Sequence, residues 1–350
     1  MRKRGFRLLL VSLSVLLLFC MAGSASSAPV HRMSFTIGDP ESASKTVFYK
    51  GLADKTRAAT NGGLDITVYA GGTLFGHMEC LEGVLSGAAD MGWFYTPWAP
   101  NQFPLTEIVG LPLLFGSNQM ASTYMLQELY KRVPELQKEL SIFKVVNLYT
   151  QPTNFLFTRF PIAKPDDLRG KQIRSMAGAA AACLTSWGAS PAFISAVEIY
   201  EAMDKGVIQG AVYEWSGVKS NSLYEVIDHC TYVPLFANPF LAIMNHDSYA
   251  RIPAEYKAAF DEIWCAPQTS FDFAKMFADE AEESRADGVA NHNIKEKHPD
   301  KAMLDLFRPG ADEFIAQWIK NNGTSTFDAR KFIDLAQSLY EEGCKVFPEK

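Results

Sequence analysis

The stretch LDITVYAGGTLFGHMECLEGVLSGAADMGW, residues 64–93, decides the architecture. Leu64 to Tyr69 alternates apolar and polar side chains, the period of a half-buried strand. Asn61-Gly62-Gly63 stops whatever comes before it. Beyond a glycine-rich turn, Met78, Leu81, Val84 and Leu85 recur at helical spacing, and Ala89 to Trp93 reads as the next strand. Strand, helix and strand at this spacing is the unit of an α/β protein with crossover connections.

Working outward, the pattern repeats. Ser34 to Ile37 reads as a first strand, followed by Asp39-Pro40 and a helix from Ala43 to Ala59 that carries Val47, Phe48, Leu52 and Ala53. Further on, Gln119 to Lys131 and Val197 to Lys205 read as helices and Ile142 to Leu148 as a strand. Between residues 254 and 290 the character changes. Phe273, Met276 and Phe277 make one apolar stripe, and Asp279, Glu280, Glu282 and Glu283 make a charged face, so a long, partly exposed helix tying two domains together is expected. Phe332 to Val346 reads as a last helix. No internal repeat and no low-complexity linker divides the chain, so two domains would exchange the chain more than once. Such a topology suits a hinge around a ligand-binding cleft.

Arg2, Lys3, Arg4 and Arg7 precede an apolar run from Leu8 to Phe19 and then small residues, the layout of a secretory signal peptide over residues 1–28. The run is short for a membrane span. Removing it takes away four basic and no acidic residues, so the formal charge goes from −6 to −10, a balance that gives nucleic acid no footing. A hydrophobic content of 48% fits a globular protein with a substantial core. Cys80, Cys183, Cys230, Cys265 and Cys344 remain beyond the leader, with no CxxC spacing. A disulfide-built fold is not indicated, and mostly buried single thiols are expected.

The chain contains no GxSxG, GxGxxG, Walker loop or HExxH. His77, Glu79 and Cys80 lie on one amphipathic segment without a partner cluster, so a structural role outweighs metal ligation, and no metal or cofactor is expected. Aromatic residues are more suggestive. Trp93, Phe94, Tyr95 and Trp98 crowd the loop after the third strand, and Tyr213, Glu214 and Trp215 follow another apolar run. Both clusters read equally well as core anchors or as the wall of a site, since crevices of open α/β sheets lie at the carboxyl ends of strands. Trp187 and Trp318 are expected in the core. In KPDDLRGKQIRSMAG, residues 164–178, Arg174 ends a short strand just before small residues that permit close approach. It is either an ordinary surface charge or a planar fork held to bind an anion.

Seven motifs in order carry a family resemblance: GGTLFG with the following Glu79 and Gly83, GAADM, LPLLF, KPDDLRGKQIR, GASP, EIYEAMDKGVIQGA and LYEVIDH. From about Ser34 to Phe260 the chain resembles the periplasmic solute-binding proteins of tripartite ATP-independent periplasmic (TRAP) transporters, of the dicarboxylate-binding type. The resemblance implies a two-lobed α/β fold of the Venus-flytrap kind with a long connecting helix. Residues 29–150 and 239–278 would form lobe I, and residues 151–238 and 279–350 would form lobe II with the C-terminal helices.

It further implies that Arg174 pairs with a ligand carboxylate. Tyr213 stands where the family often carries Asn, and Asn154 where sialic-acid binders carry a second basic residue. Asn238 matches a family position near the site, and Glu79 is carried with these as a candidate. The aromatic residues Trp93, Phe94, Tyr95, Tyr213 and Trp215 then point to a monocarboxylate with an aromatic or otherwise apolar body. Glu214 either faces the cleft, where it would accept a ligand ammonium, or points to solvent. The function expected is a non-enzymatic periplasmic receptor that hands its ligand to TRAP membrane subunits. A carboxylate sensor for a signalling partner, or a secreted enzyme on the same fold, are the alternatives.

Overall fold

The computed structural model describes residues 30–348; the leader peptide read over residues 1–28 lies outside them. Eleven strands are described in chain order: β1 (His31–Thr36), β2 (Leu64–Tyr69), β3 (Met91–Tyr95), β4 (Lys144–Thr150), β5 (Asn154–Thr158), β6 (Gln172–Arg174), β7 (Ser190–Ala192), β8 (Gly210–Tyr213), β9 (His229–Phe236), β10 (Pro239–Met244) and β11 (Lys295–Lys297). They form two sheets, ordered β2-β1-β3-β10-β4 and β11-β9-β5-β8-β6-β7. Each is mixed. β1 runs parallel to β2 and β3, while β10 runs antiparallel to β3 and β4. In the second sheet β6 runs parallel to β7 and β8, while β5 runs antiparallel to β8 and β9. The expected two-lobed α/β architecture is therefore present.

Helices cover both faces of each sheet, which is why the central strands β3, β5 and β10 are buried along their whole length. In the first lobe Phe94, Phe103, Phe143 and Leu148 build one core, and Phe35, Tyr49, Tyr149, Trp264 and Phe273 build the other. The second lobe has the same arrangement, with Leu156, Leu184 and Phe307 on one side and Phe157, Trp215 and Val218 on the other. Gly92 shows why the fold needs a bare backbone on β3. A Cβ there would stand 2.5 Å from the Cys80 sulfur and 2.9 Å from Thr36 Cγ2, so the helix Cys80–Leu85 could not lie so close to the sheet.

The chain passes between the sheets by two short segments, from β4 to β5 through residues 151–153 and from β9 to β10 through residues 237–238. Gln151 N–H donates to the Asn238 carbonyl at 3.0 Å, so the two crossings are tied side by side. The helical stretch expected over residues 254–290 is the third link, and it is broken. Ala266 is extended (φ −63°, ψ 138°) between a π-helical turn, Asp261–Cys265, and the helix Pro267–Asn291. Proline clashes with a helical conformation in the residue before it, which accounts for the break. The helix Pro267–Asn291 then buries Phe273, Ala274 and Phe277 in the first lobe and reaches the second at Gly288. A Cβ on Gly288 would stand 2.9 Å from the Trp215 ring.

The last helix departs from the expected boundary. Residues 279–350 were assigned to lobe II, yet Ala329–Val346 packs on the first-lobe helix Gln119–Arg132. Its buried face, Phe332, Ile333, Ala336 and Leu339, joins the first-lobe core together with Ile315 of the preceding helix Lys301–Asn322. Cys80, Cys183 and Cys230 are buried outside any disulfide, and burial pushes each thiol pKa up.

Candidate functional site

A cavity of about 430 Å3 opens between the lobes beside the two short crossings. Tyr95 and Glu107 enter from the first lobe, Met176 from the second, Asn238 from a crossing, and Phe314 and Trp318 from the helix Lys301–Asn322. The volume suits a small organic molecule, and cavities at lobe junctions are where such ligands bind.

Arg174 stands at the carboxyl end of β6 and is 5% exposed. Parallel pairing with β7 and β8 fixes its backbone, with Arg174 opposite Ala192 and Ala211. Nε donates to the Ile194 carbonyl at 3.1 Å and Nη1 to the Val212 carbonyl at 3.3 Å, while Nη2 lies 3.6 Å from the Met176 sulfur. The guanidinium also sits 5.3 Å from the centre of the Tyr213 ring, a cation–π distance. Among the described residues no carboxylate forms a salt bridge with it. Burial pulls its pKa down, but a guanidinium keeps its proton in a protein. A charge in this setting calls for an anion.

The aromatic residues after residue 90 divide by strand geometry. The sequence placed Phe94 and Tyr95 in a loop, but β3 continues through Tyr95, so alternate side chains take opposite faces. Trp93 and Tyr95 share one face and pack with Phe240; Phe94 points the other way, into the core with Phe103 and Phe143. Of the three, only Tyr95 lines the cavity, and its pKa is raised by burial first and then by Glu107, against a lowering by Arg174. Trp93 donates from its indole nitrogen to the Tyr149 hydroxyl at 2.6 Å.

On the second lobe, Tyr213 faces Arg174 and accepts from Asn221 Nδ2 at 2.9 Å; burial pushes its hydroxyl up to about 12. Trp215 is interior, edge-on to Phe157, and donates to the Tyr232 hydroxyl. Glu214 is half-buried. Its carboxylate caps the helix Trp215–Ser220, accepting from Ser216 N, Ser216 Oγ and Gly217 N, each at 2.7 Å. Asn154 is buried at the start of β5 and donates to the Phe236 carbonyl at 3.3 Å. Asn238 lines the cavity, whereas Glu79 is exposed beside the helix Cys80–Leu85. Among the described residues no cluster of three metal-ligating side chains occurs. Cys80 instead donates to the Trp93 carbonyl.

Three residues of this region escaped the sequence reading. Trp318, expected as core, is a cavity wall. Lys45, in the first turn of the helix Ser44–Ala59, is paired with Asp39 at 2.6 Å and lies over the Trp93 ring at 4.3 Å. Burial raises the pKa of Glu214; the hydrogen bonds from Ser216 and Gly217 oppose the rise, and the charge of Lys45 opposes it least. Glu107 lies on the 3-10 turn Thr106–Gly110 and faces the cavity. Burial raises its carboxyl to about 7; the Thr96 hydroxyl opposes the rise and the charge of Glu139 adds to it. The available signal was an acid alone within the apolar run FPLTEIVGLPLLF, residues 103–115.

Comparison with known proteins agrees with this architecture. A curated relative, the C4-dicarboxylate-binding periplasmic protein DctP of Rhodobacter capsulatus, is 24% identical over 257 residues, covering 71% of this chain and 74% of the relative. A TRAP periplasmic solute-binding protein from Desulfovibrio salexigens superposes with a TM-score of 0.81 at 24% identity, covering 91% of this chain and 97% of that one. A marine-metagenome TRAP solute-binding protein described as specific for aromatic acid ligands, in complex with metahydroxyphenylacetate, gives 0.78 at 23% identity, covering 89% and 98%. No helix among the described residues is long and apolar enough to cross a membrane. The family described as bacterial extracellular solute-binding protein, family 7, matches residues 37–321, and this chain belongs to that family of transport receptors rather than to the enzymes.

Proposed function

We propose that the protein is a periplasmic receptor that captures an aromatic or otherwise apolar monocarboxylate between its lobes and delivers it to TRAP membrane subunits. One observation carries the reading: Arg174 is buried behind Met176, which lines the interlobe cavity, and its other hydrogen-bonding partners are backbone carbonyls rather than an acid. A ligand carboxylate supplies the missing partner. Such a charge-assisted contact is worth ~1.5–3 kcal/mol net, whereas a micromolar complex needs about 8 kcal/mol. The remainder has to come from apolar contact, and Tyr95, Phe314 and Trp318 offer it. The aromatic-acid receptor among the structural relatives supports this choice; the dicarboxylate-binding relative supports the acid group without the aromatic body. Lys45, a second cation near the lobe junction, is already paired with Asp39 and is not free for a second carboxylate.

The test is a thermal-shift screen on the mature protein, stripped of ligand by unfolding and refolding. Aromatic acids, aromatic amino acids, aliphatic keto acids, dicarboxylates and sugar acids form the panel. At a hundredfold excess over Kd, linkage gives about 2.7 kcal/mol of stabilisation. Shifts confined to aromatic carboxylates are expected. Shifts with dicarboxylates or sugar acids alone would overturn the apolar reading of the pocket. Genes for two membrane permease subunits beside this one are expected as well, and a sensor kinase in their place would overturn delivery to a transporter.

A further inference from the structure

We propose that Glu107 determines ligand specificity in the interlobe cavity, where its carboxylate accepts a hydrogen bond from a ring hydroxyl of an aromatic monocarboxylate seated on Arg174. The inference rests on the carboxylate-receptor reading above and names the class of aromatic acid.

Two acids meet on this side of the cavity, and their hydrogen bonds assign them different tasks. Glu139 ends the helix Pro134–Glu139 and accepts from Leu105 N at 2.8 Å, Thr106 N at 2.8 Å and Thr106 Oγ1 at 2.5 Å. Both of its oxygens are spent on the start of the turn Thr106–Gly110, which holds that turn in place. Glu107 is the next residue. Among the described residues its partner is the Thr96 hydroxyl rather than a set of backbone donors, and it lines the cavity. Met176, whose sulfur lies 3.6 Å from Arg174 Nη2, lines the same cavity as Tyr95 and Glu107, so a cation and an acid border one enclosure. Trp318, Phe314 and Asn238 complete the enclosure without adding charge.

A ligand matched to this cavity carries an anion at one end, an apolar ring in the middle and a hydrogen-bond donor at the other end. A phenolic hydroxyl supplies that donor. A second carboxylate there would face Glu107 with Glu139 behind it, and like charges at close range in a desolvated site are strongly unfavourable. Glu107 therefore selects for a hydroxyl and against a dicarboxylic acid. Tyr95 and Glu139 are the titratable groups that act on it or are acted on by it, and neither is a cation. At pH 8 Glu107, with a pKa near 7, is mostly an ionised acceptor.

The experiment is isothermal titration calorimetry at pH 8 on ligand-stripped protein. The probes are benzoate, the three monohydroxybenzoates, and the benzenedicarboxylate substituted at the same ring position as the best hydroxybenzoate. A hydrogen bond to a charged acceptor predicts that the best hydroxybenzoate binds at least about tenfold tighter than benzoate. The dicarboxylate should bind at least about tenfold weaker than benzoate. Glu107→Leu should abolish the preference for the hydroxyl, bringing its affinities for benzoate and the best hydroxybenzoate within about threefold of each other. Glu107→Gln, closer in shape, should relieve the dicarboxylate penalty and keep the fold if the leucine variant does not. A hydroxyl preference that survives in both variants overturns the proposal, as does wild-type protein that binds the dicarboxylate as well as benzoate. If benzoate binding depends on Arg174 while Glu107 variants change nothing, this inference falls and the receptor reading stands. If no aromatic acid binds, both fall.

Discussion

Arg174→Met tests the anion clamp with the least disturbance of volume. A guanidinium offers five N–H donors. Ile194 and Val212 carbonyls take two of them, and the Met176 sulfur is a weak acceptor for a third. Two remain, enough for a bidentate grip on a carboxylate. Removing one partner of a buried, hydrogen-bonded charge pair costs ~2–5 kcal/mol. At about 1.4 kcal/mol per tenfold, Kd for benzoate should rise roughly 30- to 3,000-fold. Arg174→Lys keeps the charge and loses the fork, so it should fall between wild type and the methionine variant. Calorimetry at 25 °C measures the affinities, and circular dichroism with urea unfolding verifies that each variant is folded. A methionine variant that binds within about threefold of wild type would refute the clamp, because an exposed or unused arginine would give that result.

Two further outcomes follow from carboxylates inside the lobes. The folded-state pKa of Glu107 is raised to about 7 from 4.5, so folding binds a proton more tightly than the unfolded chain does. Its stabilising contribution is full below pH 4.5 and is lost as pH rises through 7, a change of up to roughly 3 kcal/mol. Relative to wild type, ligand-free Glu107→Gln should therefore gain stability by about that amount between pH 4.5 and 8 in urea titrations, and a pH-independent difference would contradict the burial argument. Glu214→Ala removes the cap of the helix Trp215–Ser220 and should cost about 1 kcal/mol of stability. Since that carboxylate is engaged with Ser216 and Gly217, benzoate affinity should stay within about threefold; a larger loss would place Glu214 in contact with the ligand.

The α/β character was legible because short-range patterning produces it. Leu64–Tyr69 alternates and becomes β2, and the apolar repeat after Ala43 becomes the helix Ser44–Ala59. The strand-end position of Arg174 was legible for a related reason: strand end and small neighbours are both local features, and they coincide at one position. The directions of the aromatic side chains after residue 90 turned on a shift of two residues. With β3 ending at Tyr95 instead of Trp93, the two-residue period of a strand sends Phe94 into the core and leaves Tyr95 on the cavity side. Strand ends are where periodicity gives out, so the three aromatic residues read as a single cluster although their side chains take opposite faces. Glu214 was ambiguous for another local reason. Sequence offered it the cleft or the solvent, and the capping role shows only in the hydrogen bonds from Ser216 and Gly217.

The cavity is harder to read because no single segment owns it. Tyr95 and Glu107 come from the first lobe, Met176 from the second, Asn238 from a crossing and Trp318 from a helix more than 200 residues after Glu107. This distribution bears directly on how binding would be coupled to movement. A ligand shifts an equilibrium between two conformations only by as much as it binds one better than the other. An acid held by Arg174 alone would touch one lobe and leave closure unbiased. A ring against Tyr95 with a hydroxyl on Glu107 would add first-lobe contacts that exist only when the lobes approach. On the proposed reading, the groups that recognise the ligand and the groups that drive closure are therefore the same. A monocarboxylate without the ring or the hydroxyl should bind weakly and close the protein poorly, in proportion to the first-lobe contacts it lacks.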